Sequence, residues 1–253
     1  MEFTAKSEKI TRRIAVGVFA LIVLLGSMRI TPAQDAKKRY PRMAPVDQYL
    51  MDRDAEIALG RSGAPASISD DATILVLGRH GYETAIKGTN GFVCMVERGW
   101  TSGIDFPEIW NPKIKGADCL NPPAARSILP IALKKTQMTL AGDSVREIID
   151  NINAAFAKKE LHALESGAMS YMMSKGSYLT DNGDHNAPHL MFFIPRLQGS
   201  DWGANFPGSP VGSGSYWFGM DEANPLAKSL PPIRVFTVTV RKWSDGTTAL
   251  PDR

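Results

Sequence analysis

Apolar residues recur along this chain at two different periods. In residues 145–156 they repeat every three or four positions, so Val145, Ile148, Ile149, Ile152 and Phe156 share one face of a predicted helix. Ser144 and Glu147 form a capping box at its start, and Lys158 and Lys159 sit in its last turn, where cations suit the macrodipole. A second stripe, Ile128, Leu129, Ala132, Leu133 and Leu140, predicts a helix over 127–140. With Ser127 as its N-cap, Pro130 falls where a missing N–H leaves no intrahelical bond unmade, and Gly142 ends the helix. Residues 46–60 are free of Pro and reach Gly60 before any glycine, which predicts a helix stopped there, and 166–175 read as a further helix.

Elsewhere the pattern is that of strands. Residues 73–77 are a continuous apolar run, and 82–86 and 92–96 follow after short polar breaks. Asn90-Gly91 between two such runs is a hairpin signal, because both residues tolerate positive φ. The three runs predict an antiparallel meander. Residues 190–194 read as a buried strand, 233–243 alternate as a strand with one wet face, and 216–218 read as a short strand before it. Residues 100–123, rich in Pro, Gly, Asn and Trp, read as irregular. The expected fold class is α+β: one antiparallel sheet, made of the N-terminal meander and the C-terminal strands, with helices packed on one face. A PAS-like or profilin-like arrangement is an analogy of shape and carries no function.

The first residues change the picture of where this domain works. Lys6, Lys9, Arg12 and Arg13 precede an uncharged run, 14–28, that would span about 22 Å as a helix against a hydrocarbon core of about 30 Å. Thr31-Pro32-Ala33 then offers small residues for cleavage before Gln34. Residues 1–33 are therefore expected to be a signal peptide, 34–45 a flexible lead-in and 46–253 a single globular domain, periplasmic or secreted. The open alternative is an uncleaved anchor, the one route by which a membrane would enter. Residues 1–33 hold five of the 29 basic and two of the 26 acidic residues, so 24 of each remain beyond them. That balance argues against nucleic-acid binding, which needs clustered Lys and Arg to neutralise phosphates. Cys94 and Cys119 are an even pair, expected in an oxidising compartment to form a disulfide that closes a loop of about 25 residues.

Catalytic signatures are few. No Gly-x-Ser-x-Gly, His-Glu-x-x-His, Cys-x-x-Cys or P-loop occurs. The densest constellation runs from Asp181 through Asp184 and His185 to His189. His185, His189 and Asp184, with His80 from the turn between the first two strands, are candidate ligands for a divalent metal; the alternative is an Asx-rich surface turn. Met169, Met172, Met173 and Met191 nearby would suit a soft metal such as Cu(I), or simply pack the core. Residues 199–219 form a Gly-rich loop carrying Trp202, Phe206, Tyr216 and Trp217. It reads either as a binding loop whose rings stack on a small-molecule ligand or as a surface loop pinned to the core by its aromatics. Glu97-Arg98 and Glu83 either face a pocket beside His80 or stand as exposed strand-end charge.

The run Gly88-Thr89-Asn90-Gly91-Phe92-Val93-Cys94-Met95-Val96-Glu97-Arg98, with His189-Leu190-Met191-Phe192-Phe193-Ile194-Pro195, resembles segments of an uncharacterised group of exported bacterial proteins. The resemblance implies export and a bacterial source, and no activity. Three functions are carried forward: an exported small-molecule-binding domain, a metal-dependent hydrolase using His185 and His189, and a structural or interaction domain without a pocket.

Overall fold

The computed structural model describes residues 39–182 and 187–249. The expected signal peptide and its cleavage point lie outside the described residues, as do Asp184 and His185. Among the described residues no helix is long and apolar enough to cross a membrane.

Helix and sheet are mixed, as expected for α+β. Eight strands form one sheet: β1 Thr73–Gly78, β2 Gly81–Ile86, β3 Val93–Glu97, β4 Gly116–Leu120, β5 Met169–Met172, β6 His189–Pro195, β7 Val211–Ser215 and β8 Ile233–Thr239. Their order is β2-β1-β3-β4-β5-β6-β8-β7. Every pair is antiparallel except β1 with β3.

That exception corrects the expected meander. β1 and β2 do form a hairpin, with Gly78 opposite Gly81. Asn90-Gly91, however, does not turn β2 into β3. The amides of Thr89 and Asn90 donate to the Asp71 carbonyl, Gly88 N–H donates to Thr73 Oγ1, and the Asn90 side chain binds the Ile68 carbonyl. These bonds carry the chain back to the start of β1, so β3 runs parallel to β1 on its far side. Gly88 is required there: a Cβ would lie 2.2–2.3 Å from the backbone of 71–73.

Two further strands were not expected. β4 lies within the segment read as irregular, and β5 lies where a helix was predicted. β4 is Gly-Ala-Asp-Cys-Leu, with no β-branched residue to announce it. β5 has only four residues, too few for helical and strand periods to be told apart. At the C-terminal end, the strand beside β8 is 211–215 rather than 216–218.

Among the described residues five helices accompany the sheet: α1 Arg53–Arg61, α2 Ala66–Ser69, α3 Pro122–Ser127, α4 Leu129–Ala141 and α5 Val145–Ala157. Asp52 accepts from the amides of Asp54 and Ala55 and starts α1 there, leaving 46–48 as a single 3-10 turn instead of the beginning of one long helix. The predicted helix over 127–140 divides at Ile128, with Pro130 in the first turn of α4 and Gly142 closing it at φ +90°. α5 keeps its Ser144–Glu147 capping box.

The helices cover both faces, not one. Cys94 on β3 stands opposite Cys119 on β4, and the two form the expected disulfide. α1 packs on that face, with Gly60 against Ile74, and just past the helix a Cβ added at Gly63 would lie 3.1 Å from the Ala117 backbone. Met95 and Leu120 point the other way, into a core with Ile128, Ile131 and Ile149 from α4 and its neighbours. The reason lies in the central strands, because β1, β3 and β4 are buried on both sides and need apolar cover on both. On the α1 side Glu56 and Arg98 form a buried ion pair at 2.8 Å; Arg98 also donates to the carbonyls of Tyr49 and Val96. Arg98 is therefore a structural charge, not an exposed strand end.

Candidate functional site

Side chains alternate along a strand, so the register identifies one wall of a site directly. On the face away from the disulfide stand Met95 and Glu97 of β3, Asp118 and Leu120 of β4, Ser170 and Met172 of β5, His189, Met191 and Phe193 of β6, and Val235 of β8. These residues, with the exception of Ser170, line a cavity of about 430 Å³. Ile128 and Ala132 close it from α3–α4, and the segments around Thr101–Phe106 and Ser215–Tyr216 close it from the remaining sides. Four hydrogen bonds hold those covering segments together. Ile104 N–H donates to the Trp217 carbonyl at 2.6 Å. The Asp105 carboxylate accepts from the amides of Gly219, Met220 and Asp221 at 2.7–2.9 Å.

Most of the lining is apolar, with Glu97, Asp118 and His189 on the sheet wall, Arg98 just past β3 and Tyr216 on a covering segment, the mixture common to small-molecule sites. Met95 is opposite Asp118 and Glu97 is opposite Gly116, so the two acids are diagonal neighbours, roughly 7 Å apart at Cβ. Burial pushes Glu97 up to about 7, opposed by the positive charge of Lys135. Burial also raises Asp118 well above the carboxylate range, and the charge of Glu97 adds to the rise. Asp118 Oδ1 and the neighbouring Ser170 Oγ are buried without a well-formed hydrogen bond, although the Ser170 hydroxyl and the Cys119 amide lie near enough to the Asp118 carboxyl to oppose its rise. Behind the wall, Lys135 donates to the carbonyls of Thr101 and Ser102, and burial pulls it down to about 8. The Tyr216 ring lies 5.9 Å from its ammonium nitrogen. Burial and then the charges of Glu97 and Asp118 raise the Tyr216 hydroxyl.

His189 faces this cavity from its place opposite Met172, with Nδ1 2.8 Å from the Ala187 carbonyl; burial lowers its pKa. Met172 and Met191 share the wall with it, whereas Met169 is opposite Phe192 and faces the other side. His80 sits exposed in the β1–β2 turn. Four strand steps separate β1 from β6, about 19 Å at about 4.8 Å per step, so the fold does not bring His80 to His189. Among the described residues no group of three or more His, Cys, Asp or Glu is placed to hold a metal.

The aromatic loop is divided by the sheet. Tyr216 lines the cavity and Trp217 is buried beside it, its indole N–H donating to the Pro231 carbonyl. Trp202 instead packs on Phe236 at 4.4 Å and Phe192 at 6.3 Å, on the opposite face, and Phe206 is 58% exposed. Trp202 and Phe206 thus leave the candidate pocket, and Trp202 acts as the pin that holds the loop to the core. Glu83 stays exposed, paired with Arg53.

Asp118 was missed in the sequence because it lies in the segment read as irregular. The signal was a lone carboxylate between Ala117 and Cys119, in a stretch too short and too varied to read as a strand. Comparison with protein-family models, curated proteins and solved structures finds no match to this chain, so its function is argued from its own geometry.

Proposed function

We propose that this is an exported small-molecule-binding domain and that its ligand occupies the cavity between the sheet and α4. The observation that carries the reading is the cavity itself: about 430 Å³, mostly apolar, with Glu97, Asp118 and Tyr216 on its walls. A volume of that order accommodates a small organic molecule. The Cys94–Cys119 disulfide supports an oxidising compartment.

The test uses N-phenyl-1-naphthylamine, an uncharged dye that brightens in apolar surroundings. Wild-type protein is expected to bind it at one site. Ala132→Trp, which puts an indole into the cavity from α4, is expected to remove that binding, while Trp202→Ala on the other face leaves it within about twofold. Each variant is checked for a cooperative thermal transition. Binding that survives Ala132→Trp in a folded protein would move the ligand out of this cavity.

A further inference from the structure

The polar wall of the cavity contains something the fold leaves unfinished. Asp118 is 1% exposed and Ser170 0% exposed, yet Asp118 Oδ1 and Ser170 Oγ make no well-formed hydrogen bond; the Ser170 hydroxyl and the Cys119 amide lie near the carboxyl, close enough to oppose the rise in its pKa, without closing one. Buried polar atoms are nearly always paired, and leaving one unpaired carries the full cost of its desolvation. A folded chain has little reason to keep a carboxyl group here unless something else completes its bonding.

We propose that the cavity takes an uncharged molecule bearing a carbonyl oxygen, which accepts a hydrogen bond from Asp118 acting as a neutral carboxylic acid. The inference rests on the cavity being the binding site. Three observations separate this class from a protonated amine, the other obvious partner for an acid.

First, cations already stand at the cavity. Arg98, paired with Glu56, is among the lining residues, and Lys135, whose positive charge acts on Glu97, lies behind Thr101 and Ser102. A further cation in the cavity would be repelled by both. Second, Asp118 is a diagonal neighbour of Glu97 on adjacent strands, and two carboxylates so placed in an apolar site do not both ionise readily. The retained proton turns Asp118 from an acceptor into a donor. Third, the sheet around Asp118 is mostly apolar: Met95 stands opposite it on β3, Leu120 follows it on β4 and Met172 lines the next strand, while His189 on β6, whose pKa burial lowers, lies beyond Met172. Tyr216, on the facing segment, brings a second hydroxyl to the same end. An uncharged skeleton with one acceptor oxygen matches all three.

The experiment compares two probes of one skeleton, 1-tetralone and 1-aminotetralin, the second an ammonium ion near neutral pH. Binding is followed by displacement of N-phenyl-1-naphthylamine and by saturation-transfer NMR. The ketone is expected to bind wild-type protein at least about fivefold more tightly than the amine. Asp118→Asn, which keeps an N–H donor without a charge, is expected to hold the ketone within about threefold. Asp118→Leu, which removes the donor at similar volume, is expected to weaken it about tenfold. Because Leu removes an unpaired buried polar group, it is expected to fold, and Asn supplies a second folded comparison.

Tighter binding of the amine, with loss in Asp118→Asn, would overturn the inference and make Asp118 a counter-ion. Equal ketone binding in wild type and Asp118→Leu would overturn it as well. A ketone that fails to compete while the dye still occupies the cavity would refute the ligand class and leave the cavity reading standing. Dye that never enters the cavity would bring down both.

Discussion

Replacing Glu97 with Gln tests the electrostatics of the cavity most directly. The side chain is half-buried on β3, and burial lifts its carboxyl from 4.5 to about 7. An acid whose pKa is higher in the folded state favours folding while it is protonated. That contribution is fully present below the unfolded value and is lost as pH rises through the folded one. At about 1.4 kcal/mol per pH unit, the loss approaches about 3 kcal/mol above about pH 7, of which about 2 kcal/mol falls between about pH 5 and about pH 7. For a domain of this size about 1 kcal/mol moves the melting temperature by about 2–4 °C. Glu97→Gln has no proton to lose. Its melting temperature relative to wild type is therefore expected to rise by about 4–8 °C on going from about pH 5 to about pH 7. Taking the difference between the two proteins cancels groups that titrate alike in both. Asp118 does not cancel, because the charge of Glu97 helps to raise it, and removing that charge flattens the variant's profile further. The assay is thermal unfolding by circular dichroism across that range. Parallel pH profiles for the two proteins would refute the claim that this carboxylate is desolvated.

Two other outcomes follow from the opposite face of the sheet. Arg98→Met leaves Glu56 as an uncompensated charge in a closed site, and the expected loss is about 3–5 kcal/mol in urea unfolding, with Glu56→Gln/Arg98→Met recovering part of it; a loss below about 1 kcal/mol would mean the pair is open to water. Cys94→Ala/Cys119→Ala opens a loop between residues 25 apart and is expected to cost about 3 kcal/mol, matched by wild type under reducing conditions and unchanged by reductant in the variant.

What the sequence determined by itself was local. The capping box and apolar stripe of α5 define a helix within a dozen residues, because the pattern and the hydrogen bonds that satisfy it are neighbours along the chain. The disulfide was legible from parity and expected compartment, and the alternation in 233–243 marked β8.

Pairing was not local. Asn90-Gly91 has the residues of a hairpin turn, and only the bonds from Gly88–Asn90 to Asp71 and Thr73 send β3 to the far side of β1. Tertiary structure also decided the site. Glu97, Asp118, His189 and Tyr216 are scattered over some 120 positions; the first three share a face because β3, β4, β5 and β6 are neighbours in register, and Tyr216 joins them from the segment after β7. The same sheet separates Trp202 from Tyr216, although one loop carries both. Strand period assigns a residue to one of two faces, but which face is covered by what depends on partners distant in the chain. The burial that turns an acid into a donor exists only after those partners have closed over it.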